Sequence, residues 1–181
     1  MMRALRIGVP GGMAAGLVMA LWSMAAMAAT GSGFWKPMNL IANTFYREAP
    51  LNGTFNAPAL IIGLGIHMAV ASFFGTLIAL LALKLPGARS LVIAGGILLV
   101  AVVWPIMQWG VWYRLDEQAA EGYTDWIMAV AHLMFGLTAA MFAALAIADD
   151  ETPKRGRHAA GRMPAQAEPA PGSLFQPQRR R

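Results

Sequence analysis

His67 and His132 each lie about one-third of the way into a long apolar segment, and each falls in a stripe of small residues. Every fourth residue reads Gly63, His67, Ala71, Gly75 in one segment and Met128, His132, Gly136, Ala140, Ala144 in the other. An imidazole inside a lipid-spanning helix is costly, so it needs a partner, a cavity or a ligand. The favoured reading is a hydrogen bond across helices, to a carbonyl or to the other ring, contributing about 0.6 kcal/mol. The alternative is axial ligation of a b-type haem, which takes two imidazoles at equal depth on facing helices. Gly63, Ala71, Gly136 and Ala140 would leave room for the macrocycle.

A copper site is a further alternative, because thioether and imidazole ligands suit Cu(I) and Met68, Met128 and Met134 lie near the histidines. Met68 and Met134 are, however, turned from the histidine faces by about 100° and 200°. Gln108 is the one amide inside an apolar segment, next to Pro105. It is expected either to satisfy backbone groups freed by the proline or to meet a histidine. The functional version is a polar cavity open to the external side and lined by Gln108, Ser72, His67 and His132.

Other chemistry finds little support. There is no cysteine, and the acidic group Asp116, Glu117, Glu121, Asp125 matches no calcium loop, so it reads as a solvated external turn. No phosphate loop, nucleophile–base pair or paired intramembrane carboxylates occur, which argues against an enzyme. No Asp, Glu, Lys or Arg lies in the apolar heart of a segment, so a pump or transporter lacks its usual machinery.

The elements that must position these residues are membrane spans. Of 181 residues, 57% are hydrophobic and 13% charged, against roughly 25% charged in a soluble domain. Residues 7–29, 58–83, 90–112 and 124–148 each meet the length of about 20 apolar residues needed to cross a bilayer. Gly8, Gly12, Gly16 and Ala20 continue the four-residue small pattern in the first span, the spacing that lets helix backbones approach closely. Gly12 and Gly16, with Gly63, Ala71 and Gly75 and with Gly136 and Ala140, are the expected packing seams.

The net charge of +5 is explained by topology and not by nucleic acid. Eleven of the 14 Lys and Arg residues flank one side of the spans and three (Lys36, Arg47, Arg114) the other, which predicts both termini in the cytoplasm. With that orientation both histidines lie roughly 12–14 Å below the external surface, at 1.5 Å per residue. A signal peptide cleaved near Ala25–Ala29 is the alternative for the first span, but its apolar stretch is too long for a typical signal core.

Between the spans, residues 37–46 predict a short helix lying at the membrane interface, with Trp35, Phe45 and Tyr46 at headgroup depth. Pro58 suits a helix start, Pro86-Gly87 an antiparallel turn, and Pro105 a kink in the third span. Residues 149–181, polar and rich in Pro and Arg, read as a disordered basic cytoplasmic tail. A faint repeat sets Gly11-Gly12, Trp22 and Met24 against Gly95-Gly96, Trp104 and Met107.

The Gly-rich first span, His67 with Gly75, the proline of the third span and His132-Leu-Met-Phe-Gly136 resemble uncharacterised bacterial inner-membrane proteins such as the YagU-like family of unknown function. The resemblance covers residues 7–148 and implies the architecture, with no activity attached. The expectation is an all-α integral membrane four-helix bundle over 1–148, multi-pass in the bacterial inner membrane. It would be non-enzymatic and without a cofactor, accessory to a membrane-protein partner or self-associating in the lipid bilayer. A bis-histidine redox or metal-handling protein is the alternative, and a small transporter or channel the third.

Overall fold

A computed structural model gives the fold; it describes residues 1–85 and 88–160, with side chains at 1–85 and 88–148. Four helical stretches are long and apolar enough to cross a membrane. They are α1 (Met2–Ala29), α3 (Ala57–Lys84), the continuous stretch Arg89–Leu115, and the Asp125–Ala148 part of α7 (Asp125–Ala160). The third stretch comprises α4 (Arg89–Pro105), a π-helical turn (Ile106–Trp112) and α5 (Tyr113–Leu115). Two short helices, α2 (Lys36–Asn43) and α6 (Glu117–Gly122), lie in the loops that follow α1 and α5.

Burial is reversed relative to a water-soluble bundle. Ala15, Ala79 and Ala140 are fully buried, whereas Leu21, Phe73 and Leu98 are about 60% exposed. Lipid tails are as apolar as leucine, so large side chains gain little by facing inward, and small ones gain close backbone packing.

Two glycine seams follow from that rule. A Cβ on Gly75 would overlap the Gly12 Cα and the Gly8 carbonyl, and one on Gly12 would overlap the Ala71 carbonyl, so α1 and α3 meet backbone to backbone. In α4 and α7, a Cβ on Gly96 would lie 2.7 Å from Ala140 Cβ, and one on Gly136 would lie 2.8 Å from the Gly96 carbonyl. Gly12 and Gly96, matched in the sequence, thus each mark a seam. Gly63 packs against the Met38 carbonyl of the short helix α2.

Local chemistry ends these helices. At the end of α1, Ser32 N–H donates to Met27 O at 2.8 Å and Gly31 N–H to Ala28 O at 3.0 Å, with Gly31 at φ +80°. This paired capping of the last carbonyls needs a left-handed residue, which glycine supplies. Asn56 caps α3 by accepting from Ala59 N–H at 2.9 Å, ahead of Pro58 in the first turn.

Three features refine the expectations. First, the short loop helix α2 packs into the protein: Pro37, Met38, Asn39, Leu40, Ala42 and Asn43 are buried, and Asn39 Nδ2 donates to Pro50 O (2.9 Å) and Thr54 O (2.8 Å). Secondly, Pro105 is followed by a π-helical turn, a wider winding that absorbs the disturbed backbone ladder. Thirdly, the acidic loop is not uniformly solvated, because Asp116 is 4% exposed. Pro86 and Gly87 lie outside the described residues. Of the expected tail, 149–160 is described only as helical backbone and 161–181 lies outside.

Candidate functional site

The glycine seams bring α1 close enough to α3 for a side chain of one to reach the backbone of the other. His67 Nε2 donates to the Gly16 carbonyl at 2.9 Å. His132 Nδ1 donates instead to Met128 O at 2.7 Å, one turn back in its own helix. Both rings line one cavity of about 120 Å³.

An imidazole that donates at one nitrogen carries, when neutral, a lone pair at the other. Nδ1 of His67 and Nε2 of His132 make no hydrogen bond to a described residue. Each of these two lining residues therefore keeps one nitrogen acceptor without a partner among the described residues. Gln108, in the π-helical turn and 5% exposed, enters the same wall. Its Nε2 donates to Ala120 O at 3.0 Å, tying the turn to α6, and its Oε1 is unengaged. The rest of the wall is mainly apolar and aromatic, with Phe74, Trp104, Trp112 and Phe135 beside Ser23 and Tyr123, and it contains no charged side chain.

A polar lock adjoins this site. Asp116 accepts from Asn43 Nδ2 at 2.7 Å and Thr44 Oγ1 at 3.3 Å, pairs with Arg47 at 3.1 Å, and caps α6 through Ala119 N–H at 3.2 Å. One carboxylate thus joins the α2 region to α6, and both neighbourhoods contribute to the cavity through Met38 and Tyr123. Burial raises the Tyr123 phenol above its ordinary pKa, and the nearby Asp116 charge adds to the shift. Trp22 Nε1 completes the closure by donating to Ile127 O at 3.3 Å, which fastens α1 to the start of α7.

The structure brings together His67, His132 and Gln108 but leaves out Ser72, whose hydroxyl donates to Met68 O at 2.7 Å within α3. Gln108 meets neither a histidine nor a carbonyl of its own helix. Of the three methionines near the histidines, Met128 lines the cavity and Met68 and Met134 do not; Met19, Met38 and Met107 do. A space of about 120 Å³ is smaller than the roughly 300–1,000 Å³ of ordinary cofactor pockets. Seating a porphyrin would require the helices to part. No group of three His, Cys, Asp or Glu that could hold a metal ion occurs among the described residues.

Sequence reasoning missed the lock. Asn39 and Asn43 stand four residues apart in the loop after the first span, on one face of its expected short helix. That spacing was the available sign that a loop helix has a polar side to satisfy.

No family model matches this chain, and neither does any curated protein or solved structure.

Proposed function

We propose that this chain is a non-enzymatic accessory protein of the bacterial cytoplasmic membrane, with both termini in the cytoplasm, that binds a small ligand inside its bundle. The observation that carries the reading is the shared cavity, where two imidazoles each keep an unengaged nitrogen within a mainly apolar wall. A histidine pair serving only to hold helices would direct its nitrogens into the seam. Here only His67 reaches another helix, His132 bonds within its own, and each ring keeps its other nitrogen unengaged. The orientation is supported by the eleven-to-three distribution of basic residues.

The test is to purify the protein from membranes and identify co-purifying small molecules by mass spectrometry. V103F, which fills the cavity, and H132F serve as comparisons. A compound present with the wild type and absent from both variants is expected. No compound above the V103F background would leave the histidines with a packing role alone.

A copper-handling reading is favoured by one observation, the presence of Met19, Met38, Met107 and Met128 in the same wall as the two histidines. Elemental analysis of the same preparations tests it: copper near one equivalent in the wild type, lost in H132F, is its expected result.

A further inference from the structure

We infer that the occupant is a neutral, single-ring hydroxyl compound of the phenol or hydroquinone class, recognised through His67 Nδ1, His132 Nε2 and Gln108 Oε1. This rests on the ligand-binding reading above and gives it a chemistry.

Size comes first. An apolar cavity of about 150 Å³ takes a benzene ring, and this one is about 120 Å³. The flat surfaces of Trp104, Trp112 and Phe135 in its wall suit an aromatic ring. Charge comes second. No Asp, Glu, Lys or Arg lines the cavity, so a charged ligand would sit in a low-dielectric site without a counter-ion. The ligand is neutral.

Hydrogen-bond polarity decides the rest. Three wall atoms are unengaged acceptors: one nitrogen of each histidine, and the Gln108 oxygen, whose amide nitrogen is held by Ala120. A ligand bearing only carbonyls would leave all three acceptors unmatched, with the Tyr123 hydroxyl as its donor. Hydroxyl groups supply the missing donors. A hydroxyl oxygen also accepts. The Tyr123 hydroxyl can take either role.

The same headgroup chemistry belongs to a free phenol and to a quinol dissolved in the bilayer. Val70 is the side chain that separates the cavity from the outer face, being at once cavity wall and 41% exposed.

Equilibrium dialysis of the detergent-solubilised full chain tests the inference, with V103F as the blank for micelle uptake. Hydroquinone and p-xylene have the same ring and nearly the same outline, and they differ in hydroxyl against methyl. Saturable uptake of hydroquinone by the wild type, with p-xylene at the blank level, is expected. H132F should bind hydroquinone about tenfold more weakly, equivalent to about 1.4 kcal/mol.

If p-xylene binds as tightly as hydroquinone, the cavity is an unselective apolar pocket. The hydroxyl class is then wrong, while ligand binding itself stands. If neither is taken up above the blank, the phenol class is wrong, and ligand binding is decided by the co-purification comparison alone. This comparison uses the wild-type protein, so it does not depend on how any histidine variant folds. A singly prenylated quinol identifies the source. Tighter binding than hydroquinone, with the gain lost in V70W, supports the class and assigns it to the membrane. Exclusion of the prenylated compound while hydroquinone binds supports the class as a free phenol.

Discussion

His67 and His132 are the same residue type in similar stripes, yet they carry different mechanical loads. His67 bonds to the Gly16 carbonyl of α1, whereas His132 bonds within α7. Removing the first loses a contact between helices worth about 0.6 kcal/mol; removing the second loosens only a turn. H67F is therefore expected to lower the melting temperature in detergent more than H132F, and an equal loss would contradict this division. Asp116 has a larger stake. In D116A the buried Asn43 amide loses its partner and α6 its cap, so a loss of about 1–3 kcal/mol is expected in reversible unfolding. Tyr123 gives a pH signature. Its phenol pKa is raised in the folded state from an ordinary 10.0, so the unfolded chain loses that proton first as pH rises. Stability should consequently fall once the pH passes about 10. Y123F should lessen the fall, and an ultraviolet titration of the three tyrosines should lose its latest-ionising component in that variant.

The helices themselves divide into seam-bearing pairs. The α1–α3 seam leaves no space for a Cβ at Gly75, and Gly65 on the same helix has nothing within 4 Å. G75I should thus destabilise by about 1–3 kcal/mol or more through overpacking, while G65A should be neutral or slightly stabilising because alanine is the better helix former. Thermal unfolding of the two variants separates them; equal effects would mean the seam is not closed as described. The π-helical turn after Pro105 works at this same scale. It places Gln108 inward, between the cavity and α6, from a stretch whose neighbours Trp109 and Gly110 face outward.

At the scale of the molecule, the four spans turn many large side chains outward, Leu21, Phe73 and Leu98 among them, and bury a run of alanines, the arrangement expected in lipid. The two loop helices close one end of this bundle through Asp116, Asn43 and Asn39, and they contribute Met38 to the cavity. Orientation is a property of the whole chain. Reporter enzymes active on only one side of the membrane, fused after residue 181 and within residues 48–56, should report cytoplasm and exterior respectively. The reverse pattern would invert the topology read from the basic residues.

The spans, the seams and the two histidines were legible because each is a local pattern: apolar length, four-residue spacing of small residues, and a titratable ring where lipid penalises it. Gly12, Gly75 and Gly136 could be read this way since backbone approach depends on what a residue lacks. What the rings bond to was not legible. Nothing in the local sequence distinguishes His67, facing another helix's carbonyl, from His132, facing its own, because hydrogen-bond partners are set by the register between helices. The same holds for Asp116, which reads as one carboxylate of a solvated loop until the fold packs it against Asn43, 73 residues away in the chain. Sequence determined which residues could be buried polar groups; only the tertiary structure decided which of them became wall, lock and cavity.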